Sequence, residues 1–509
     1  MHKGTCYHCR SWTSRSNNHH YHYHHHYHFH HHFHHHFHHH IGLTSAIMLA
    51  RRGYDNIKVY DRLPEPEKAD NEKVWNNFDT GSDRLYMIGL NGRGQKALKD
   101  LNIFDRIQNY TATIVGRIDW SPESPIDEPR EIIFTDKSYT THVIQRDRLT
   151  SCILEEIKNK YQQQISLEFD VVCTNAEWNS NNDGEEICNL YFRRKLNDGT
   201  TENFIALNNK FVLGCDGTGS KIREAMEKSS KSNNFFVKRY DDKNVRVYRT
   251  IPIFWPKDDK QKSYRNDVNY SIRTKSDINL DALPTKEGPY IGVVLYRPWD
   301  ERLQKMETAA DAKAFFNEIL PMFTPGIRES DYERFAQKKD SNLPTFSYSG
   351  PILHKGKTTC LLGDCIHSVK PYFGQGVNSA FEDVIVLNKA LENSNDDVGK
   401  ALALYSKMRA KDAEALVHMS KRLDGGFFVF ILPLLLDSIF HRALPFLFSP
   451  NTISFLQNEK VRFRDIRTKK RIDRVMQFFV IGGTLSIISN LIFGLITGLR
   501  KFLTLRLGL

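Results

Sequence analysis

The chain has 509 residues, 40% of them hydrophobic and 26% charged, which suits two or three domains or one large interleaved α/β body. The formal charge is +11, and much of the excess lies in VRFRDIRTKKRIDR, directly before an apolar run. That placement suits a membrane surface and argues against nucleic acid as a partner. Eight cysteines, scattered apart from Cys6 and Cys9, form no secreted disulfide framework, and no apolar signal core opens the chain. Reduced thiols and a cytosol-facing body are expected.

Residues 1–40 hold most of the 23 histidines, mixed with Tyr and Phe. Lacking aliphatic residues, this low-complexity segment is expected to be disordered. Cys6, His8 and Cys9 suggest a metal-binding tract, but no spacing fixes a coordination geometry and no metal ligand is assigned. A translated repeat or a wrong first exon explains the composition better.

From Ile41 the texture is globular. IGLTSAIMLARRGY spaces Leu43, Ile47 and Ala50 as a helix that Gly53 stops, and NIKVYDR reads as a strand ending at Asp61. This is the second half of a βαβ nucleotide unit. Gly42 stands where the last glycine of the phosphate turn belongs, letting helix pack on strand. Asp61 stands nineteen residues on, where a carboxylate accepts from a ribose. The first strand and first two glycines are missing, so the chain as written is expected to bind a dinucleotide weakly.

Further on, GRGQKALKDLNIFDRI and RDRLTSCILEEIKNKY are helical, while ISLEFDVVCTNAEW and ICNLYFRRKL are strands. FVLGCDGTGSKIRE runs from a strand through Asp216 and Gly217 into a helix. Between about Phe236 and Ser349, strands mix with Pro-containing loops, a sheet-rich region. TCLLGDCIHSVKPYFGQGVNSAFEDVIVLNKAL is the richest motif. Its apolar strand ends at Gly363 and Asp364, and a loop with Pro371, Gly374, Gln375 and Gly376 then opens a helix near Asn378. The carboxylate suits a sugar-like hydroxyl, and the helix start offers N–H groups to an electron-rich carbonyl edge.

In the tail, VMQFFVIGGTLSIISNLIFGLITGL from Val475 to Leu499 carries no charge and is long enough to span a bilayer. Seven Lys or Arg between Val461 and Arg474 place the body on the cytosolic side. The earlier run FFVFILPLLLDSIFHRALPFLF, broken by Pro433, Asp437, Arg442 and Pro445, is equally a second span, an interfacial helix or the floor of a pocket.

These motifs, in this order, resemble the FAD-dependent aromatic hydroxylases over roughly residues 41–425, and PYFGQG.N..FED is most similar to the kynurenine hydroxylases. The resemblance implies an α/β fold: a Rossmann-like FAD-binding domain in two parts (41–235 and 351–425), interleaved with a sheet-rich substrate domain (236–350). A helical or interfacial region (426–474) and a transmembrane helix (475–499) would follow. It implies FAD as cofactor and NADPH as transient reductant. Gly42, Asp61, Arg84, Arg146, Asp216, Gly217, Gly363, Asp364, Pro371 and Gly374 would bind the cofactor, and Gln375, Gly376, Val377 and Asn378 would hold the ring's pyrimidine edge. No catalytic side chain is assigned, since His367 fits loop support better than a base. Arg117, Phe134, Tyr372 and Phe373 would face the substrate, Arg117 meeting a carboxylate.

Phe134 stands where that pattern has a tyrosine, and HMSKRLDGGFF replaces a Tyr-Asn-Tyr-like stretch. Lost hydroxyls weaken an amino-acid carboxylate site, so kynurenine and a lipophilic substrate from the membrane are both expected candidates, with O2 as co-substrate. A membrane anchor follows from the resemblance too, in the family at the mitochondrial outer membrane. The alternatives are a flavin-dependent epoxidase or reductase acting on a lipid, and an inactive membrane-tethered, His-rich metal binder.

Overall fold

The computed structural model describes residues 39–78, 85–121, 125, 128–135, 139–196, 198–230, 234–255 and 264–507. The expectation for the His-rich tract to His38 and that for Arg84 fall outside them. Helix α1 (His39–Arg51) leads to strand β1 (Ile57–Tyr60). Strand β2 (Met87–Leu90) precedes α2 (Gly92–Asp100), then come β3 (Gly116–Trp120), α3 (Arg146–Lys160) and β4 (Ile165–Glu168). Strand β5 (Val212–Gly214) enters α4 (Lys221–Ser229), and β6 (Val268–Arg273) pairs with β7 (Asn279–Pro284). Strand β8 (Thr359–Leu361) opens the C-terminal half, with α5 (Gln375–Asn393), α6 (Val398–Leu423), α7 (Leu432–Ala443) and α8 (Phe463–Leu507).

Among the described residues the parallel sheet comes in two pieces. Strand β1 pairs with β4, Ile57 opposite Ile165, and β5 pairs with β8, Val212 opposite Thr359. Helix α1 packs on α3 and α5, burying Ile41, Leu43, Ile47 and Met48. Gly42 is roomier than expected. A Cβ there would meet Cys215 at 3.9 Å, an ordinary contact, so close packing does not demand glycine.

The second body is a seven-stranded sheet that includes β3, β6 and β7. It draws β3 and its hairpin partner Arg130–Ile133 from early in the chain, across a parallel β3–β6 pairing. Alternation sorts its faces. Tyr270, Ile272, Leu280 and Ala282 enter a core shared with Trp120, Phe316 and Phe323. The intervening Asn269, Ser271, Arg273, Asn279 and Asp281, with Arg117, line a cavity.

Helix α8 runs 45 residues. Its base is bolted to the body, with Phe463 and Ile466 buried and the Arg464 N–H donating to Asp412 Oδ1 at 2.9 Å. Beyond Gln477 the side chains to Phe502 are exposed, and the uncharged stretch is roughly 37 Å long, enough to cross a hydrocarbon core.

The sorting of faces is testable at adjacent positions. Ile272→Ala is expected to destabilise the chain by about 2–4 kcal/mol. Ser271→Ala, on the cavity face, should stay within about 1 kcal/mol. Thermal unfolding of both variants separates them.

Candidate functional site

The cavity has a volume of about 1240 Å³ and lies between the polar face of the seven-stranded sheet and the loop from Asp364 to Val377. The loop turns on Gly374, whose left-handed φ of 63° places it directly before α5. Gly374, Gly376 and Val377 line the cavity with Asp364, Pro371 and Tyr372. The side chain of Phe373 lies outside the described residues.

Gln375 and Asn378 are buried beneath this surface instead of on it. The Asn378 amide donates to Gly89 O at 2.8 Å and Gly374 O at 2.6 Å, and its Oδ1 accepts from Asn91 N–H at 3.0 Å. The side chain thereby locks the loop to the end of β2 and is committed to protein backbone. Gly94, which the sequence reading passed over, makes room for it, since a Cβ at that position would collide with Asn378 Oδ1.

Below the loop sits a buried charge network. Asp383 accepts from Gly363 N–H at 2.7 Å, from Arg409 Nε, and contacts His367 Nε2 at 2.9 Å. Glu382 joins Arg409 Nη1 at 2.7 Å to Arg93 Nη1 at 3.0 Å. Burial would raise the Asp383 carboxyl, but Arg409 and His367 outweigh it and hold it below the usual range. His367 is fully buried against this carboxylate. Gly363 belongs here too, positioned by Asp383 and away from the cavity surface.

Asp364 stands apart. Among the described residues its carboxylate meets no hydrogen-bond donor, and burial pushes its pKa up to about 6, opposed by nearby His367. Burial likewise raises the Tyr86 hydroxyl, with the Arg146 charge opposing it. Arg146 is buried at the start of α3, paired with Asp147 at 2.6 Å, near the cavity without lining it.

At the ends of β1 and β5, Asp61 Oδ1 accepts from Leu63 N–H at 2.9 Å, and Asp216 caps α4 through Lys221 N–H at 2.7 Å. The Gly217 N–H donates to Cys365 Sγ at 3.0 Å. Arg62, missed in the sequence, joins this group; burial lowers its pKa, Asp61 and Asp216 oppose that, and Arg146 adds to it. The start of α1 is formed by His39 and His40, where a glycine turn was sought.

On the opposite wall, Arg117 and Phe134 both reach the cavity, but Arg117 is already paired with Asp119 at 2.7 Å. A carboxylate approaching Arg117 therefore meets a resident partner. Arg273 is likewise held by Asp281 at 2.9 Å. The stretch that replaces Tyr-Asn-Tyr contains Asp424, which accepts from Lys370 Nζ at 2.8 Å, as does Asp242. Fully buried Lys370 was not singled out in the sequence, although a lysine inside an apolar flavin-type loop was a signal.

Residues 172–420 match the family described as FAD binding domain. Kynurenine 3-monooxygenase of Candida albicans is 26% identical over 401 residues, covering 76% of this chain and 80% of the relative. The Sus scrofa enzyme of the same name is 23% identical, covering 88% of this chain and 89% of the relative. Klebsiella pneumoniae HpxO, solved with FAD, shares the fold at a TM-score of 0.55 and 16% identity, covering 79% of this chain and 92% of that one. P. aeruginosa PqsL, solved with 2-aminobenzoylacetate, gives 0.53 and 16%, covering 76% and 93%.

The match to a FAD binding domain gives FAD as the cofactor, and in sequence and fold the chain is similar to the FAD-dependent aromatic hydroxylases. It is an oxidoreductase, an FAD-dependent aromatic monooxygenase similar to the kynurenine 3-monooxygenases.

Gly94→Ala should push Asn378 off Gly89 and Gly374 and loosen the loop. The expected loss is about 1–3 kcal/mol, with flavin retention falling alongside. Thermal unfolding and the 450-nm-region flavin absorbance, roughly placed, report the two effects.

Proposed function

We propose that the chain uses NADPH and O2 to hydroxylate an aminoaryl substrate that carries a carboxylate arm, of the kynurenine kind. The observation that carries this reading is a single cavity with a glycine-turned, helix-opening loop on one wall and two ion-paired arginines on the other. The bound flavin supplies the redox chemistry: two electrons from NADPH go to O2, one oxygen atom enters the ring, and the other leaves as water.

The residues present fit FAD at the ring end. Asp364, with no donor among the described residues, suits a ribityl hydroxyl, and the backbone at Gly376 and Val377 opens α5 toward the cavity. Gly374, Pro371 and Gln375 shape that turn, and Gly363 and Asn378 hold it in place. Toward the nucleotide end, Asp61 suits the ribose, with Arg62, Arg146, Asp216 and Gly217 around it. Phe134, Tyr372 and Tyr86 wall the substrate side and exclude water.

Arg117 orients the carboxylate by exchanging it for Asp119. A more lipophilic arene is the second reading, favoured by Phe430 and Leu434 on the cavity wall. Helix α8 anchors the body, and the basic residues at its base put that body on the cytosolic side.

The direct test is the purified full chain with L-kynurenine. Faster NADPH oxidation and a product heavier by one oxygen atom are expected; oxidation unchanged by kynurenine overturns the reading. Arg117→Met should raise KM for a carboxylate substrate about tenfold, the value of one charge-assisted contact, with kcat little changed. Asp119→Asn should lower KM by freeing Arg117, and an uncharged arene should respond to neither substitution.

The Asp364 carboxyl gives a pH dependence. It keeps its proton up to about 6, against an ordinary 3.8, so the protein alone loses stability as pH rises through that window. Hydroxyl donors favour the anion, so FAD affinity should weaken as pH falls below about 6, by up to about tenfold per pH unit. Flavin titration of the apoprotein between pH 5 and 8, roughly its working range, checks this; Asp364→Asn should flatten the profile.

A further inference from the structure

The segment between α6 and α8 has two faces. Phe430, Leu434, Ser438 and His441 line the cavity. The other side turns outward, with Phe428 79%, Ile439 62% and Phe446 85% exposed, beside Phe427, Val429 and Leu435. Scattered exposed apolar residues are common, but a contiguous aromatic and aliphatic patch marks an interaction surface.

Its position is fixed by one buried carboxylate. Asp437 on α7 is fully buried and bonds Arg474 Nη1 at 2.9 Å, Lys470 Nζ at 3.1 Å and Gln477 Nε2 at 3.3 Å, all on α8. Thr452 Oγ1 donates to it as well, at 3.2 Å, and Arg474 Nη2 reaches Pro433 O at 3.1 Å. Arg474 is the last charged residue before the uncharged stretch of α8. The clamp therefore holds α7 level with the point where that helix leaves the protein.

We propose that the outer face of residues 427–447 is seated in the lipid interface, so that the wall of the active-site cavity rests on the bilayer. The inference rests on α8 crossing the membrane, as proposed above. Continuity with that helix selects lipid as the occupant. The segment lies in the plane: with the π-turn Phe427–Ile431 (5 residues) leading into α7 (12 residues), the helical run stays shorter than the roughly 20 residues a bilayer crossing takes, and its one acidic group is committed to the clamp. Around it, Arg442, Lys460, Arg462, Lys469 and Arg471 suit anionic headgroups. An apolar substrate dissolved in the membrane would meet the cavity through Phe430 and Leu434 without crossing water.

The test uses the full chain in nanodiscs of phosphatidylcholine and phosphatidylserine, with p-benzoylphenylalanine in place of Phe428 or Phe446. Ile487, within the uncharged stretch, serves as the membrane control, and exposed Trp299, on the sheet-rich body, as the aqueous one. After irradiation, lipid adducts are read by mass spectrometry. Adducts at both test positions, comparable with Ile487 and about tenfold above Trp299, are expected for an interfacial surface. Adducts at Ile487 alone leave the anchor standing and overturn the seat. Absence at Ile487 removes the anchor and the seat with it. Chain-to-chain crosslinks at Phe428 or Phe446 overturn the seat in favour of a second copy.

Discussion

The Asp383 carboxylate is the group on which the rest of the site depends. It is fully buried, yet it receives Arg409, His367 and the Gly363 N–H, and through Arg409 it is tied to Glu382 and Arg93. Two cations balance two anions, so the network tolerates a low dielectric that would be costly for any member alone. Arg93 also donates to the carbonyls of Asn458 and Val461 and stacks on Phe463 at 4.2 Å. One set of charges thus joins the loop beside the cavity, helix α5 and the base of α8. Geometry at Gly363 and Asp364 is inherited from it.

The far wall works by a different logic. Alternation along β3, β6 and β7 presents Arg117, Arg273 and Asp281 to one side while the neighbouring residues fill a core. Each arginine is paired within the wall, Arg117 with Asp119 and Arg273 with Asp281. A carboxylate substrate must compete with a resident anion, so selectivity comes from how much better its geometry is, in keeping with specificity as a difference of affinities. Phe134 keeps the same wall apolar where a hydroxyl partner would otherwise sit, which narrows what an acid can gain there.

Local features of this architecture were legible because they depend on neighbours in sequence. Helical spacing marked α1 and α3, β-branched runs marked β1 and β4, and the turn at Gly374 announced the start of α5. His367 meets Asp383, a carboxylate sixteen residues further along the same motif. What stayed hidden depends on partners far along the chain. Nothing near Arg117 says that Asp119 will claim it, and nothing near Asn378 says that Gly89 and Asn91 will. Gly94 looks like an ordinary helical glycine until Asn378, 284 positions away by numbering, packs against it. Lys370 needed Asp242 and Asp424 to explain its burial. The long apolar tail was plain in composition, while the clamp at Asp437 required both helices to be in place.

The two ends of the FAD-binding body consequently rest on different forces. Beneath the loop beside the cavity, geometry is set by buried ion pairs, and the Asp364 carboxyl meets no donor among the described residues. At the nucleotide end, the described strands β1 and β5 sit in separate sheet pieces, and α1 spans the region by apolar contact through Leu43, Ile47 and Met48. Hydrophobic contact of this kind is non-directional and tolerates small shifts, whereas the Asp383 network is specific in angle and distance. Directional contacts therefore dominate beneath the loop beside the cavity, and apolar contact dominates around α1. The same division explains why Gly42, at the start of α1, has room beside it, while Gly94, beneath the loop beside the cavity, has none.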